Sequence, residues 1–203
     1  MLKSSRGGKA GGRSKTNVPQ ALVGAVGKKG KSISIDDIVK KRRINPNYRA
    51  FGDPKFTKNC QRCVYAAEMA RRGYDVEAVG RESNATDKWY THWRHGFNGQ
   101  TWDGHLGNRN ATVEKNINAK LQSWGDGARA IVYVKWKGVN SAHVFNVENV
   151  NGKTVAYDAQ KGRKFPIMDY LKDSQPTYTQ ISRVDHLTDP NPLLQYAMKK
   201  RGT

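Results

Sequence analysis

The chain has 203 residues, 36 Lys+Arg against 17 Asp+Glu for a net charge of +19, and only 36% hydrophobic residues. That length allows one domain with tails, and the low apolar fraction excludes a chain that is core from end to end. The uncharged stretch from Asn17 to Gly27 is too short and too broken by Pro19 and Gly24 to span a bilayer, and no apolar signal region precedes a cleavage site. The expected location is the cytoplasm, or a virion or delivery system that carries the chain into a target cell. Cys60 and Cys63, the only cysteines, are too close for a disulfide framework and read as chemistry or core.

The charge is uneven. Residues 1–58 hold 15 Lys/Arg against Asp36, Asp37 and Asp53, giving +12, whereas the rest hold 21 against 14, giving +7. Residues 1–31 lack acids and aromatics and carry seven glycines, which predicts a flexible basic arm. Such an arm suits nucleic acid or another polyanion through counterion release, with residues 1–58 as the contact, or serves as a solubilising linker.

Residues 32–55 read as a short helix and linker. Ser34-Ile35-Asp36-Asp37 resembles a capping box, with Ile35, Ile38 and Val39 at helical spacing, and Asn45-Pro46 and Gly52-Asp53-Pro54 are turn text. A domain spanning 56–186 follows. Asn59 is the expected N-cap of a helix from Cys60 to about Arg72, stopped by Gly73, with Cys60, Cys63, Val64 and Ala67 on one buried face. Tyr74–Val79 reads as a short strand. The polar stretch 80–110 carries three Trp and three His, its part from Thr86 to His95 read as helical. Asn110 is the expected cap of a helix running to Gly125 through Val113, Ile117 and Leu121. Ala128–Trp136 alternates as a strand. Ala142–Val150, the turn Asn151-Gly152 and Lys153–Gln160 form a hairpin of the type I′ kind. Pro166–Leu171 reads as a helix, Tyr178–Val184 as a strand, and residues 187–203 as a tail with a helix over Pro192–Lys200. Helix first and antiparallel strands later is the α+β pattern.

The hairpin register places His143 opposite Gln160 and Phe145 opposite Asp158, so His143 and Asp158 are diagonal neighbours on one face. That is the geometry of a general base and its orienting acid. Cys60, at a helix start where unpaired N–H groups and the dipole stabilise a thiolate, supplies a nucleophile. Cys60, His143 and Asp158 are therefore the candidate catalytic residues, with Asn59 and Gln160 as candidate oxyanion or orienting groups. A zinc site from Cys60, Cys63, His92 and His95 is the chemical rival. Its two-residue histidine spacing and the lack of a knuckle count against it, so no metal or cofactor is expected.

Several blocks of the sequence are similar to one family. Asn59-Cys60-Gln61-Arg62-Cys63-Val64, Gly127-Ala128-Arg129-Ala130-Ile131-Val132, His143-Val144-Phe145-Asn146-Val147 and Tyr157-Asp158-Ala159-Gln160 resemble, in order, the motifs of the papain-fold toxin domain of glutamine deamidases. The resemblance implies a papain-like fold with a Cys-His-Asp triad and a protein substrate bearing a reactive Gln, hydrolysed to Glu. It also implies an immunity protein as a further partner, and occurrence as toxins or in phage-associated proteins. Cleavage of peptide bonds by the same triad is the alternative reaction. A basic nucleic-acid-binding or virion-associated protein with an inactive domain is the alternative of another class.

Overall fold

The helix that begins at Cys60 is buried around its whole circumference, and this one fact organises the molecule. A computed structural model describes residues 15–83 and 86–203. The elements run α1 (Gln20–Val26), α2 (Ile35–Val39), α3 (Pro54–Thr57), α4 (Cys60–Arg71), β1 (Val76–Ala78) and α5 (Asn110–Trp124). They continue β2 (Arg129–Lys135), β3 (Ala142–Val150), β4 (Lys153–Asp158), β5 (Arg163–Phe165), α6 (Met168–Leu171), β6 (Gln180–Arg183) and β7 (Met198–Lys200). Five strands form one antiparallel sheet in the order β5-β4-β3-β2-β6, and β1 pairs with β7 in a separate ribbon. This is the expected α+β, papain-like arrangement.

α5 and α6 cover one face of the sheet, where Val113, Ile117 and Leu121 meet Ala130, Val132, Val134, Phe145 and Val147. α4 covers the other, against Ile131, Val144 and Tyr157. β3 is therefore buried on both sides along nearly its whole length, and Asn146 there donates to the carbonyl of Val64 on α4 at 3.1 Å.

α4 does not present a single apolar face, as its spacing predicts; every residue from Arg62 to Ala70 is buried. Its outer side is covered by the β1–β7 ribbon, and α1 packs in turn on β7 and on the turn Pro192–Tyr196, which gives the N-terminal segment a partner. Gln20–Val26, expected as part of a flexible arm, is accordingly a packed helix. α1 is seven residues long with no side-chain cap, too short to persist alone, and exists because Leu22 and Val26, one turn apart, are fully buried in the α4 core. The chain then passes Gly73, where φ is 102° and a Cβ would lie 2.4 Å from the Gly30 carbonyl oxygen. The Gly30 N–H donates to the Gly73 carbonyl at 2.7 Å, so Gly73 both ends α4 and admits the N-terminal strip. The part of the expected arm formed by residues 1–14 lies outside the described residues. Leu22→Ala should cost about 2–4 kcal/mol in urea denaturation; a cost near zero would mean that the segment does not pack.

Other expectations are corrected. Thr86–His95 is not a helix: only Trp93–His95 forms a single 3₁₀ turn, because Trp89 is fully buried edge-on against Tyr65 of α4, with ring centres 5.4 Å apart. Pro192–Lys200 is not a helix either. A 3₁₀ turn over Pro192–Tyr196 leads into β7, whose pairing with β1 overrides the helical propensity of the text. Residues 187–203 thus include part of the outer layer of the fold. β5 follows Gly162 and extends the hairpin into a third strand; nothing in the sequence reading anticipates it.

A buried ionic cluster ties α4 to both layers. Glu68 accepts from Arg72 at 2.7 Å and from Arg129 at 2.8 Å and 3.0 Å, and Arg72 also donates to the carbonyls of Val184 and Leu187, each at 2.7 Å. Among the described residues no helix is long and apolar enough to cross a membrane.

Candidate active site

Cys60 is the first residue of α4 and is half-buried. Its position is set by the turn before it. Asn59 does not cap the helix with its side chain, as the sequence reading expects. Its carbonyl accepts from Arg62 N and Cys63 N, while the carboxamide faces inward. Asn59 Oδ1 accepts from Asn45 Nδ2 at 3.1 Å, from Gln160 Nε2 at 3.2 Å and from the Cys63 thiol at 3.4 Å. Both hydrogens of its nitrogen are committed, to Asn45 Oδ1 at 3.1 Å and to the Val79 carbonyl at 3.2 Å. The Asn59 carboxamide therefore has no donor left for an oxyanion. It anchors the start of α4 to the chain just past β4, through Asn45, whose Nδ2 also reaches the Gln160 carbonyl at 3.2 Å.

His143 lies near the start of β3 and Asp158 at the end of β4. The hairpin ladder follows the expected register from Val150–Lys153 to Asn146–Tyr157 and stops there, so the anticipated Phe145–Asp158 and His143–Gln160 pairs are not part of it. Where the ladder ends, β3 continues without β4, and Asp158 turns toward the histidine. His143 Nε2 and Asp158 Oδ2 are 2.9 Å apart. With Nε2 committed, Nδ1 is the nitrogen available to a nucleophile. His143 lines a cleft of about 880 Å³ together with Cys60, Gln61 and Gln160, which brings the first residue of α4 to the same opening as the histidine.

The carboxylate is held on every side. Asp158 Oδ1 accepts from the N–H of Gln160 at 2.9 Å and of Lys161 at 3.1 Å, and Oδ2 accepts from Tyr170 Oη at 2.5 Å in addition to the imidazole. Burial alone would raise its pKa, but the His143 charge and bond, the Tyr170 bond and the Lys161 charge hold it down at about 2. For His143, burial would lower the value; the Asp158 carboxylate outweighs it and, with a smaller contribution from Cys60, pushes the imidazole up to about 10. The ring is also clamped sterically, with Trp136 stacked at 6.1 Å and Tyr170 edge-on at 5.3 Å.

Cys63, one turn further into α4, is buried, and that burial pushes its thiol well above the ordinary range. Gln160 contributes through its backbone to Asp158 and through its side chain to Asn59. His92 and His95 are exposed while Cys63 is buried, and among the described residues no group of three His, Cys, Asp or Glu is placed to hold a metal ion. The sequence reading missed Tyr170, Trp136 and Asn45. Tyr170 sits on a four-residue helix, 12 positions beyond Asp158, with no spacing that marks it. Tyr170→Phe should cost about 1–2 kcal/mol at neutral pH. The Asp158 pKa is depressed, so its contribution is present above the ordinary carboxylate value of 3.8 and lost as pH falls through about 2. The difference between variant and wild type in urea titrations should accordingly narrow at acid pH.

The model of a family described as papain fold toxin 1, glutamine deamidase, matches residues 58–163. No match was found among curated proteins. A solved structure of a variant of the Salmonella effector SpvD is similar at 17% identity and a TM-score of 0.43, covering 77% of this chain and 80% of that one. The family match spans just over half of the sequence and contains the Cys60 helix, the central hairpin, His143 and Asp158. On that match, the chain belongs to the papain-fold toxin family of glutamine deamidases.

Proposed function

We propose that this protein hydrolyses the side-chain amide of a glutamine in a target protein, with Cys60 as nucleophile, His143 as acid and base, and Asp158 as the group that holds the imidazole. The observation that carries the reading is the 2.9 Å His143–Asp158 bond at the wall of a cleft that Cys60 also lines. Family membership supports a thiol hydrolase of the toxin type, delivered into the cell that holds its substrate.

The Cys60 thiolate attacks the carboxamide carbon, and the carbonyl electrons move onto oxygen. The amides of Cys60 and Gln61 head the helix, before its first intrahelical acceptor becomes available to them, and are suited to receive that oxyanion. His143, protonated at neutral pH because Asp158 holds its pKa up, gives its proton to the departing nitrogen. Ammonia leaves and a thioester remains on Cys60. Water then enters; neutral His143 takes its proton, hydroxide attacks the thioester, and the sulfur leaves as thiolate while the new carboxyl group passes its proton to the released ammonia through solvent and departs as glutamate. Asp158 stays ionised throughout and keeps the ring in the tautomer that points Nδ1 at the cleft.

Tandem mass spectrometry of proteins and glutamine peptides incubated with the full chain tests this. The expected product is a gain of one mass unit at a glutamine residue with the backbone intact. New peptide termini in place of that gain would assign the same triad to proteolysis.

A further inference from the structure

The walls of the Cys60 cleft carry charge of one sign. Its lining includes Lys58, Arg81, Arg94, Lys135 and Lys161, and no Asp or Glu. They come from both flanks: Lys58 from the turn before α4 and Arg81 from the segment after β1, then Arg94 from the 3₁₀ turn and Lys135 from β2. The arginines buried around α4, by contrast, are matched, Arg62 to Asp87, Arg71 to Glu148, and Arg72 and Arg129 to Glu68. None of the described ion pairs uses Lys58, Arg94, Lys135 or Lys161.

Arg94 is the most informative. Its guanidinium lies 4.7 Å from the Trp93 ring centre, 5.1 Å from Trp102 and 4.9 Å from Tyr133. It donates to Gln180 Oε1 at 2.6 Å, and the Trp102 indole N–H fixes the Arg94 carbonyl at 2.8 Å. The side chain is half-buried, and the loss of water lowers its pKa from the ordinary value with no carboxylate to compensate. Partial burial of an unpaired charge is costly. A rigid, desolvated and unpaired guanidinium at the rim of a reactive cleft binds an incoming carboxylate with little further loss of side-chain entropy.

Resting on the deamidase reading of this cleft, we infer that its substrate is an acidic polypeptide segment, with Asp or Glu flanking the target glutamine and Arg94 taking one of those carboxylates. Lys58 and Lys135 add long-range attraction on either side. A polynucleotide fits less well: the occupant must bring a carboxamide to Cys60, and the rings of the wall already have partners, Tyr90 under Arg81, Trp136 against His143, and Trp93 against Trp102 at 5.4 Å and Tyr133 at 5.9 Å with Arg94 among them.

The test uses the full chain carrying Cys60→Ala and fluorescently labelled peptides with one central Gln flanked by Glu, by Ser or by Lys. Anisotropy should show the Glu-flanked peptide binding about tenfold or more tighter than the Ser-flanked one at low salt, the advantage shrinking as salt rises. That preference should collapse to about threefold or less in Arg94→Gln, and likewise in the Lys58→Gln/Lys135→Gln double variant, which removes neither Arg94 nor any of the rings that hold it. Equal binding of Glu- and Ser-flanked peptides overturns the inference, as does tighter binding of a single-stranded oligonucleotide of matched charge that the same variants abolish. Ammonia release by the wild-type chain separates the two claims. Deamidation without flank preference sinks the acidic-segment inference alone, whereas flank-selective binding with no Cys60-dependent deamidation sinks the reaction and leaves the binding site standing.

Discussion

Cys60→Ala is expected to lower glutamine deamidation by about a thousandfold or more, with the urea midpoint within a few tenths of a molar of the wild type. The size of the loss follows from the chemistry: no other thiol can replace the nucleophile. Cys63 is one turn away but buried, donating its proton to Asn59 Oδ1 at 3.4 Å, and its thiol is pushed well up by burial. Cys63→Ala should therefore show the converse pattern, a stability loss of about 1 kcal/mol with most of the activity retained. If Cys63→Ala abolished turnover and Cys60→Ala did not, the order of the two cysteines in the site would be wrong.

The largest stability effect should come from a residue far from the cleft. Glu68→Gln leaves Arg72 and Arg129 without their shared carboxylate, and removing one member of a buried ionic cluster costs about 3–5 kcal/mol. A fall of that size in the free energy of urea unfolding is the expected result; a change under about 1 kcal/mol would mean that water already screens the cluster. The same group shapes the acid limb of stability. Burial would raise the Glu68 pKa, but the Arg129 and Arg72 charges outweigh it and hold it at about 2. Its contribution is present above the ordinary value of 4.5 and is lost as pH falls through about 2, in the same window as Asp158. His143 acts in the opposite direction. Its raised pKa stabilises the fold fully below the ordinary value of 6.5 and ceases to do so as pH rises through about 10. The stability profile should thus be highest between these limbs.

What was legible in the sequence was local. The Cys60 helix shows in its spacing and its Gly73 stop, and the β3–β4 hairpin in Asn151-Gly152, because turn chemistry and periodicity act over a few residues. Two strands of known register place a histidine near an acid without any knowledge of the rest of the fold. The β3–β4 ladder nevertheless ends before those two residues, while Asp158 stays paired with Arg163 of β5, and alternation does not encode where that ladder stops.

The parts that were not legible depend on distant partners. α1 has weak helix signals and no cap; its apolar residues matter because they pack against β7 and the Pro192–Tyr196 turn at the other end of the chain. β7 has the text of a helix, and β1 makes it a strand. Asn45 looks like turn vocabulary, yet it bridges Asn59 and Gln160, the latter 115 positions away. Tyr170 and Arg94 carry no motif at all, and their roles follow only from what surrounds them.

Catalysis through a Cys60 thioester is tested by acid-quenched mass spectrometry of the wild-type chain mixed with a glutamine peptide that it turns over. A covalent adduct is expected on the fragment bearing Cys60, with the mass of the peptide less one ammonia, labile to hydroxylamine and absent from Cys60→Ala. An adduct on any other residue, or glutamate formed at an undiminished rate by Cys60→Ala, would contradict it.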